Sequence, residues 1–132
     1  MCMIQSVEIP VAVGELIDKI TILEIKIARF RDATKRTNAQ TELTLLYQRR
    51  DACLSADPPL TAIEAQLKAV NERIWDLEDA IRDCERRQDF GSNFVTAARN
   101  IYHANDERAA FKREINLATG SHLIEEKSYN AY

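Results

Sequence analysis

Residues that interrupt helices are scarce in this sequence, which has three glycines and three prolines among its 132 residues. Long stretches therefore run without a strong turn signal, which favours helices over a fold of many short strands. The chain also lacks any apolar run near the roughly 20 residues that a membrane-spanning helix needs. These two scarcities predict an all-α protein that has no membrane partner.

Cysteine is scarce as well, and Cys2, Cys53 and Cys84 form no CxxC spacing. An odd number of cysteines without such a motif favours reduced thiols over a disulfide framework. The first residues carry no basic stretch of the kind that opens a secretory signal peptide. We therefore expect a cytoplasmic protein, and a length of 132 residues suits a single domain.

Positive charge is in deficit, because 18 lysines and arginines face 21 acidic residues, for a net charge of −3. Nucleic acids and anionic membranes attract basic proteins, so neither is an expected partner. No glycine-rich phosphate loop and no GxSxG elbow occurs. His103 and Glu107 are one helical turn apart, but too few imidazole or thiolate groups accompany them for a metal site. We expect no metal and no cofactor.

Helical periodicity is what the sequence does contain. It predicts four helices at about residues 14–31, 38–54, 61–88 and 93–118. Thr37 with Gln40, and Thr61 with Glu64, resemble capping boxes that open the second and third helices. The first helix is apolar on two sides, which places it centrally. An alternating segment over residues 4–13 predicts an extended arm, and Pro58 and Pro59 mark a loop. The predicted fold is an elongated antiparallel four-helix bundle with this short N-terminal arm.

The third helix suggests a partner chain. It carries a heptad seam, and its predicted length of roughly 40 Å matches the whole diameter of a compact domain of this size. Trp75 lies off that seam beside Asn71 and Glu78, so it needs a second surface to cover it. We therefore expect a homodimer.

The fourth helix places polar residues on an otherwise apolar face. Asn105, Arg108 and Lys112 follow Phe94 and Ile101 at helical spacing. Two cations at positions i and i+4 repel each other, and inside a bundle they need negative partners. We therefore treat these three polar residues as the candidate site.

The main candidate for that negative partner is Glu24, beside the apolar face of the first helix, and Asp18 is the second. Two hypotheses follow. In the first, Glu24 and the three polar residues of the fourth helix form a satisfied buried layer. In the second, cations outnumber carboxylates because an anionic ligand completes the site. A third alternative is that the face is simply exposed.

The tail, residues 121–132, carries two tyrosines that are exposed by default. Tyr129 and Tyr132 are typical of a segment that packs on its own chain, and they are also compatible with a docking segment. The sequence alone leaves both alternatives open.

Three segments resemble a bacterial family catalogued only as a domain of unknown function. They are VAVGELIDKITILEIK (Val11 to Lys26), IYHANDERAAFKREIN (Ile101 to Asn116) and EEKSY (Glu125 to Tyr129). The resemblance implies no activity. It does imply that the first and fourth helices are the special pair, which agrees with the buried polarity of the fourth.

Two functional hypotheses follow from the sequence. The leading one is a small helical interaction or adaptor protein, homodimeric and with a further protein as a partner. The alternative is a small all-helical enzyme or binding protein for an anionic metabolite. It would use Asn105, Arg108 and Lys112, with Glu24 as acid or base. That chemistry is compatible with the fold by analogy only.

Overall fold

The computed structural model describes residues 5–55 and 59–132, which form four α-helices. They are α1 (Val13–Arg29), α2 (Ala33–Cys53), α3 (Thr61–Arg86) and α4 (Ser92–Thr119). Within those described ranges no residue lies in a β-strand. The predicted all-α bundle is confirmed.

Helix α1 is the centre of the arrangement. It packs against each of the other three helices, and α3 packs along α4. Ile17, Ile20, Leu23 and Ile25 are all buried, because α1 carries apolar residues on two sides. The predicted central position of the first helix is therefore correct. Ile17 packs with Leu67 of α3 and Ile115 of α4 in the hydrophobic core. Partly buried apolar side chains pack around this core.

Helix α2 begins at Ala33, five residues earlier than its predicted start. Asp32 caps it, accepting a hydrogen bond of 2.9 Å from the backbone N–H of Lys35. Thr37 lies inside the helix, where its carbonyl accepts from the Thr41 hydroxyl. The predicted capping box at residue 37 is therefore wrong. Asp32, which directly precedes the helix, accepts a hydrogen bond from an N–H group of its first turn instead.

Helix α3 begins at Thr61, as predicted, but Leu60 occupies the N-cap position and no side chain caps it. The Thr61 side chain therefore does not serve as the predicted cap. Of the two loop prolines, Pro59 precedes α3, and Pro58 lies outside the described residues.

The segment before α1 forms neither helix nor strand over residues 5–12. Val7 and Ile9 are 76% and 70% exposed, so their alternation does not bury a strand face here. Residue 4, the first of the predicted arm, and Cys2 lie outside the described residues.

The α3–α4 pair extends beyond α1. The helices contain 26 and 28 residues against 17 in α1, which makes them longer by roughly 14–16 Å. The end of α1 reaches α3 at Asp76, through Arg29, and at Trp75, through Phe30. None of residues 78–98 belongs to the core cluster. We call this stretch, the last turns of α3 and the first turns of α4, the hairpin end.

Trp75 receives cover from its own chain. The Phe30 ring lies 6.0 Å from it, and the Arg29 guanidinium lies 5.7 Å from its ring centre. The second surface predicted for Trp75 is therefore supplied by the end of α1, so Trp75 by itself does not require a second chain.

Candidate functional site between the first and fourth helices

Arg108 pairs with Asp18, not with Glu24. Its Nε donates to Asp18 Oδ1 at 2.9 Å, and its Nη2 donates to Oδ2 at 2.5 Å. The Asp18 side chain is fully buried, which makes this a desolvated bidentate pair. The prediction of a carboxylate on the first helix is confirmed, but its identity is wrong. Asp18 and Glu24 are six residues apart, so they point about 120° away from each other around α1.

A third helix joins this pair through Asn71. The Asn71 amide donates to Asp18 Oδ1 and to the Thr21 hydroxyl, both at 2.9 Å. The Thr21 hydroxyl in turn donates to the backbone carbonyl of Asp18 at 2.8 Å. Asp18 therefore links α1, α3 and α4, and its position is fixed by several hydrogen bonds rather than by one ion pair.

Lys112 lies one turn beyond Arg108 and is only 8% exposed. Its ammonium is 2.6 Å from a Glu15 carboxylate oxygen and 3.3 Å from one of Glu125. Glu15 belongs to the first turn of α1, and Glu125 belongs to the segment that follows α4. Lys112 therefore connects three parts of the chain.

The backbones of α1 and α4 approach closely at Gly14. A Cβ atom on Gly14 would lie 2.3 Å from the Lys112 carbonyl oxygen. Its N–H donates to Asn116 Oδ1 at 2.6 Å, and the N–H of Val13 donates to the Ser121 hydroxyl at 3.1 Å. The side chains of Asn116, near the end of α4, and Ser121, just after it, thus cap α1, which has no side-chain cap of its own. We call this region, Gly14, Glu15, Asp18, Arg108, Lys112 and Asn116, the α1–α4 joint.

Both cations of the joint hold their protons firmly. The hydrogen bond to Asp18 raises the pKa of Arg108 against the opposing effect of burial. Burial acts to lower the pKa of Lys112, but the hydrogen bond to Glu15 and the charge of Asp18 raise it above its ordinary value. Neither side chain can therefore act as a general base near neutral pH.

The joint contains as many carboxylates as cations. Asp18 and Glu15 face Arg108 and Lys112, and Glu125, which also approaches Lys112, lies 3.9 Å from the Lys127 ammonium. The predicted excess of cations is therefore absent. Across residues 5–55 and 59–132, no buried side-chain nitrogen or oxygen lacks a hydrogen-bond partner.

Glu24 belongs to a separate cluster on the α2 and α3 side of α1. It accepts a 2.5 Å hydrogen bond from the Tyr47 hydroxyl, and the Lys68 ammonium lies 3.6 Å away. Burial, and then the hydrogen bond to Glu24, raises the pKa of Tyr47 to about 12. The Arg50 guanidinium lies 4.7 Å from the centre of the Tyr47 ring. The structure therefore does not bring Glu24 together with the other three predicted residues.

Asn105 lines a cleft of about 840 Å³ between α4 and the segment that follows it. Its amide donates to the Ile101 carbonyl at 3.1 Å. We call that segment, residues 121–132, the strap. Tyr102, Tyr129 and Tyr132 are the aromatic residues of the cleft.

The strap runs back along α4 and is held at several points. Lys112 holds Glu125, and Arg113 lies 3.3 Å from Glu126. The Tyr132 hydroxyl donates to Asp106 and lies 3.1 Å from His103 Nδ1. The tail thus packs on its own chain, while Tyr129 and Tyr132 remain largely exposed.

The described ranges contain neither a metal-binding cluster nor a membrane-spanning helix. Among residues 5–55 and 59–132, no group of three histidine, cysteine or acidic side chains could hold a metal ion. No helix in the same ranges is both long and apolar enough to cross a membrane.

The fold and the joint define a small helical bundle whose polar core joins its first and fourth helices. The chain belongs to a protein family of unknown function, DUF6165, whose model matches residues 6–132. No curated protein and no solved structure matches the chain.

Sequence reasoning missed two members of the joint and two residues that contact it. Glu15, Asn71, Asn116 and Glu125 did not appear among the candidates, and Asp18 appeared only as the second choice for Arg108. The available signal was Gly14, which stands four residues before Asp18 on the same face of α1. A glycine at such a place marks a close approach of two backbones.

Proposed function

We propose that this chain is a non-enzymatic interaction protein that works as a homodimer in the cytoplasm. The observation that carries the proposal is the uncovered apolar surface of the hairpin end. Phe90 and Val95 are 51% and 50% exposed there, and Ile81 and Phe94 are half-buried.

The contrast with the rest of the α3–α4 pair supports this proposal. Along the body of the pair, α1 covers the apolar seam, and the core residues Leu67 and Ile115 are completely buried. Along the hairpin end, Cys84 and Ala97 are buried, but no described residue belongs to the core cluster. Exposed apolar groups rimmed by charged residues are typical of protein interaction sites. A second copy would supply the missing cover and complete a four-helix arrangement.

The joint itself gives little support to catalysis. Its two cations have carboxylate partners within the same chain, and Asp18 is fully buried. Free cysteines at positions 53 and 84 fit the reducing cytoplasm that we propose.

The alternative function keeps one specific observation in its favour. The Arg108 side chain is 29% exposed, and Asn105 lines the 840 Å³ cleft, so an anionic metabolite could approach both. Against it stand the carboxylate partners that both cations already have and the distant position of Glu24. A thermal-shift screen with anionic metabolites would test it, because a ligand at 100 times its dissociation constant stabilises by about 2.7 kcal/mol.

Sedimentation velocity at micromolar concentration tests the homodimer. We expect twice the 15.1 kDa of one chain. Val95→Glu should give the monomer mass with unchanged helicity, since a buried unpaired carboxylate opposes association. Leu117→Glu is the matched control, because Leu117 is 63% exposed on α4 but lies at the other end of the helix. A monomer mass for the unsubstituted chain at high micromolar concentration would contradict the proposal.

A further inference from the structure

The hairpin end and the strap cleft lie next to each other on one face of α4. Val95, Tyr102 and Asp106 are spaced by seven and four residues, which places them on one stripe of the helix. Val95 belongs to the exposed hairpin end, whereas Tyr102 and Asp106 line the cleft. Seven residues of helix separate Val95 and Tyr102 by about 10 Å.

The two features both offer apolar surface. The hairpin end projects apolar side chains, with the Phe90 and Phe94 rings 5.5 Å apart in an edge-to-face contact. The cleft offers the apolar surface of Ile101 and three tyrosines. Its lining carries one cation, Lys127, and one carboxylate, so its formal charge is zero and favours an uncharged occupant.

A chain cannot fill its own cleft with its own hairpin end. Val95 and Tyr102 belong to the same continuous helix, so their separation is fixed. An occupant must come from another molecule, and a second copy carries the same projection at the same spacing.

We infer that two copies pack their α4 helices antiparallel, so that the hairpin end of each enters the strap cleft of the other. An antiparallel pair that places Val95 opposite Tyr102 of the second copy also places Tyr102 opposite Val95 of that copy. This reciprocity is the property of an isologous two-fold interface. Each contact then forms twice, which helps a small patch approach the roughly 1,200 Å² that specific interfaces bury. The inference rests on the proposed homodimer and names its surface.

The same register brings two arginines together. The two-fold axis passes between positions 98 and 99, so the Arg99 side chains of both copies lie beside it. Arg99 is exposed and forms no ion pair with the described residues. Two like charges at the axis oppose association. Arg99→Gln is therefore expected to lower the dimer dissociation constant several-fold, whereas a register whose axis lies far from position 99 predicts no such change.

Cross-linking between two different variants tests the register. Val95→Cys and Tyr102→Cys chains, each with Cys2 and Cys53 replaced by serine, are mixed and treated with a short bismaleimide. We expect a cross-linked heterodimer in high yield. Val95→Cys mixed with Leu117→Cys is the control, because in this register position 117 lies 15 residues along α4 from position 102, which faces position 95 of the other copy, or about 22 Å away, and should give little product.

The outcomes separate the inference from the proposed function. A dimer mass with the Val95–Tyr102 cross-link, together with tighter association of Arg99→Gln, supports both. A dimer mass with no cross-link, or with equal cross-linking to position 117, overturns the inference and leaves the homodimer standing. A monomer mass overturns both. Because Tyr102→Cys alters the cleft itself, Arg99→Cys alone provides a second probe, which should cross-link to its own copy across the axis.

Discussion

The two ends of the α3–α4 pair differ in which side chains they bury and which they expose. At the joint end, α4 buries Lys112 and Asn116, and the chain supplies a partner for each polar group. At the hairpin end, α4 exposes Val95 and leaves Phe94 half-buried. Polar groups are thus buried where the chain can pair them, and apolar groups are exposed where it cannot cover them. The comparison teaches that α4 pairs its buried polar groups at the joint, whereas at the hairpin end it leaves apolar groups partly exposed.

Replacing Asp18 by asparagine should lower the free energy of unfolding more than any other substitution proposed below. The change keeps the volume but leaves the Arg108 guanidinium without its carboxylate. Loss of one member of a buried pair costs about 3–5 kcal/mol, which urea unfolding would measure. Asp76→Asn is the control, because Asp76 pairs with Arg29 while its side chain is 68% exposed, and its cost should stay within about 0.5 kcal/mol. Equal costs for the two variants would contradict a buried joint.

Replacing Gly14 by alanine should have the next largest effect. The added Cβ would meet the Lys112 carbonyl oxygen, a backbone atom that can move only if the two helices separate. Overpacking of this kind costs about 1–3 kcal/mol. At Gly91 the nearest atom to an added Cβ is 3.4 Å away and belongs to the Asp89 side chain, so Gly91→Ala should cost clearly less. Thermal unfolding of both variants would rank them, and the reverse order would contradict the close approach.

Tyr47→Phe should cost about 1 kcal/mol, because it removes the hydrogen bond to Glu24 without changing the packing volume. The difference in stability between the unsubstituted protein and Tyr47→Phe should also depend on pH. The pKa of Tyr47 is raised to about 12 from an ordinary value of 10.0, so its stabilising effect is complete below pH 10 and is lost as pH rises through 12. The stability difference between the two proteins should therefore shrink between pH 10 and 12. A constant difference over that range would show that Glu24 does not hold the Tyr47 proton.

Val95→Ser should have the smallest effect on the folded monomer. Val95 is half-exposed and lies outside the core cluster, so the free energy of unfolding at submicromolar concentration should change by less than about 0.5 kcal/mol. Association at micromolar concentration should nevertheless weaken. A large loss of monomer stability would show that the hairpin end is part of the folding core after all.

The general fold was predictable because hydrophobic periodicity reports which face of each helix is buried. Apolar residues on two sides of α1 were enough to place it centrally. The start of α2 was not predictable in the same way, since Asp32 and Thr37 are both good N-caps and only the packed structure decides between them.

The members of the joint were predictable only in part. Periodicity shows that Arg108 points inward, but not which turn of α1 it meets. That register depends on where two backbones touch, and here they touch at Gly14. Once that contact is fixed, Asp18 faces Arg108 and Glu24 faces Tyr47. The partner of a buried charge is thus a tertiary property that a single sequence does not encode locally.

The capping of α1 by the end of α4 also has a consequence for the order of folding. The hydrogen bond from Val13 to Ser121 spans 108 positions of the sequence, and the one from Gly14 to Asn116 spans 102. Closing so long a loop costs more chain entropy than forming the local α3–α4 hairpin. We therefore expect the hairpin to form first and α1 to dock last. Until α1 docks, its first turn has no cap, so the helix that organises the finished molecule is the one whose beginning depends most on the rest of the chain.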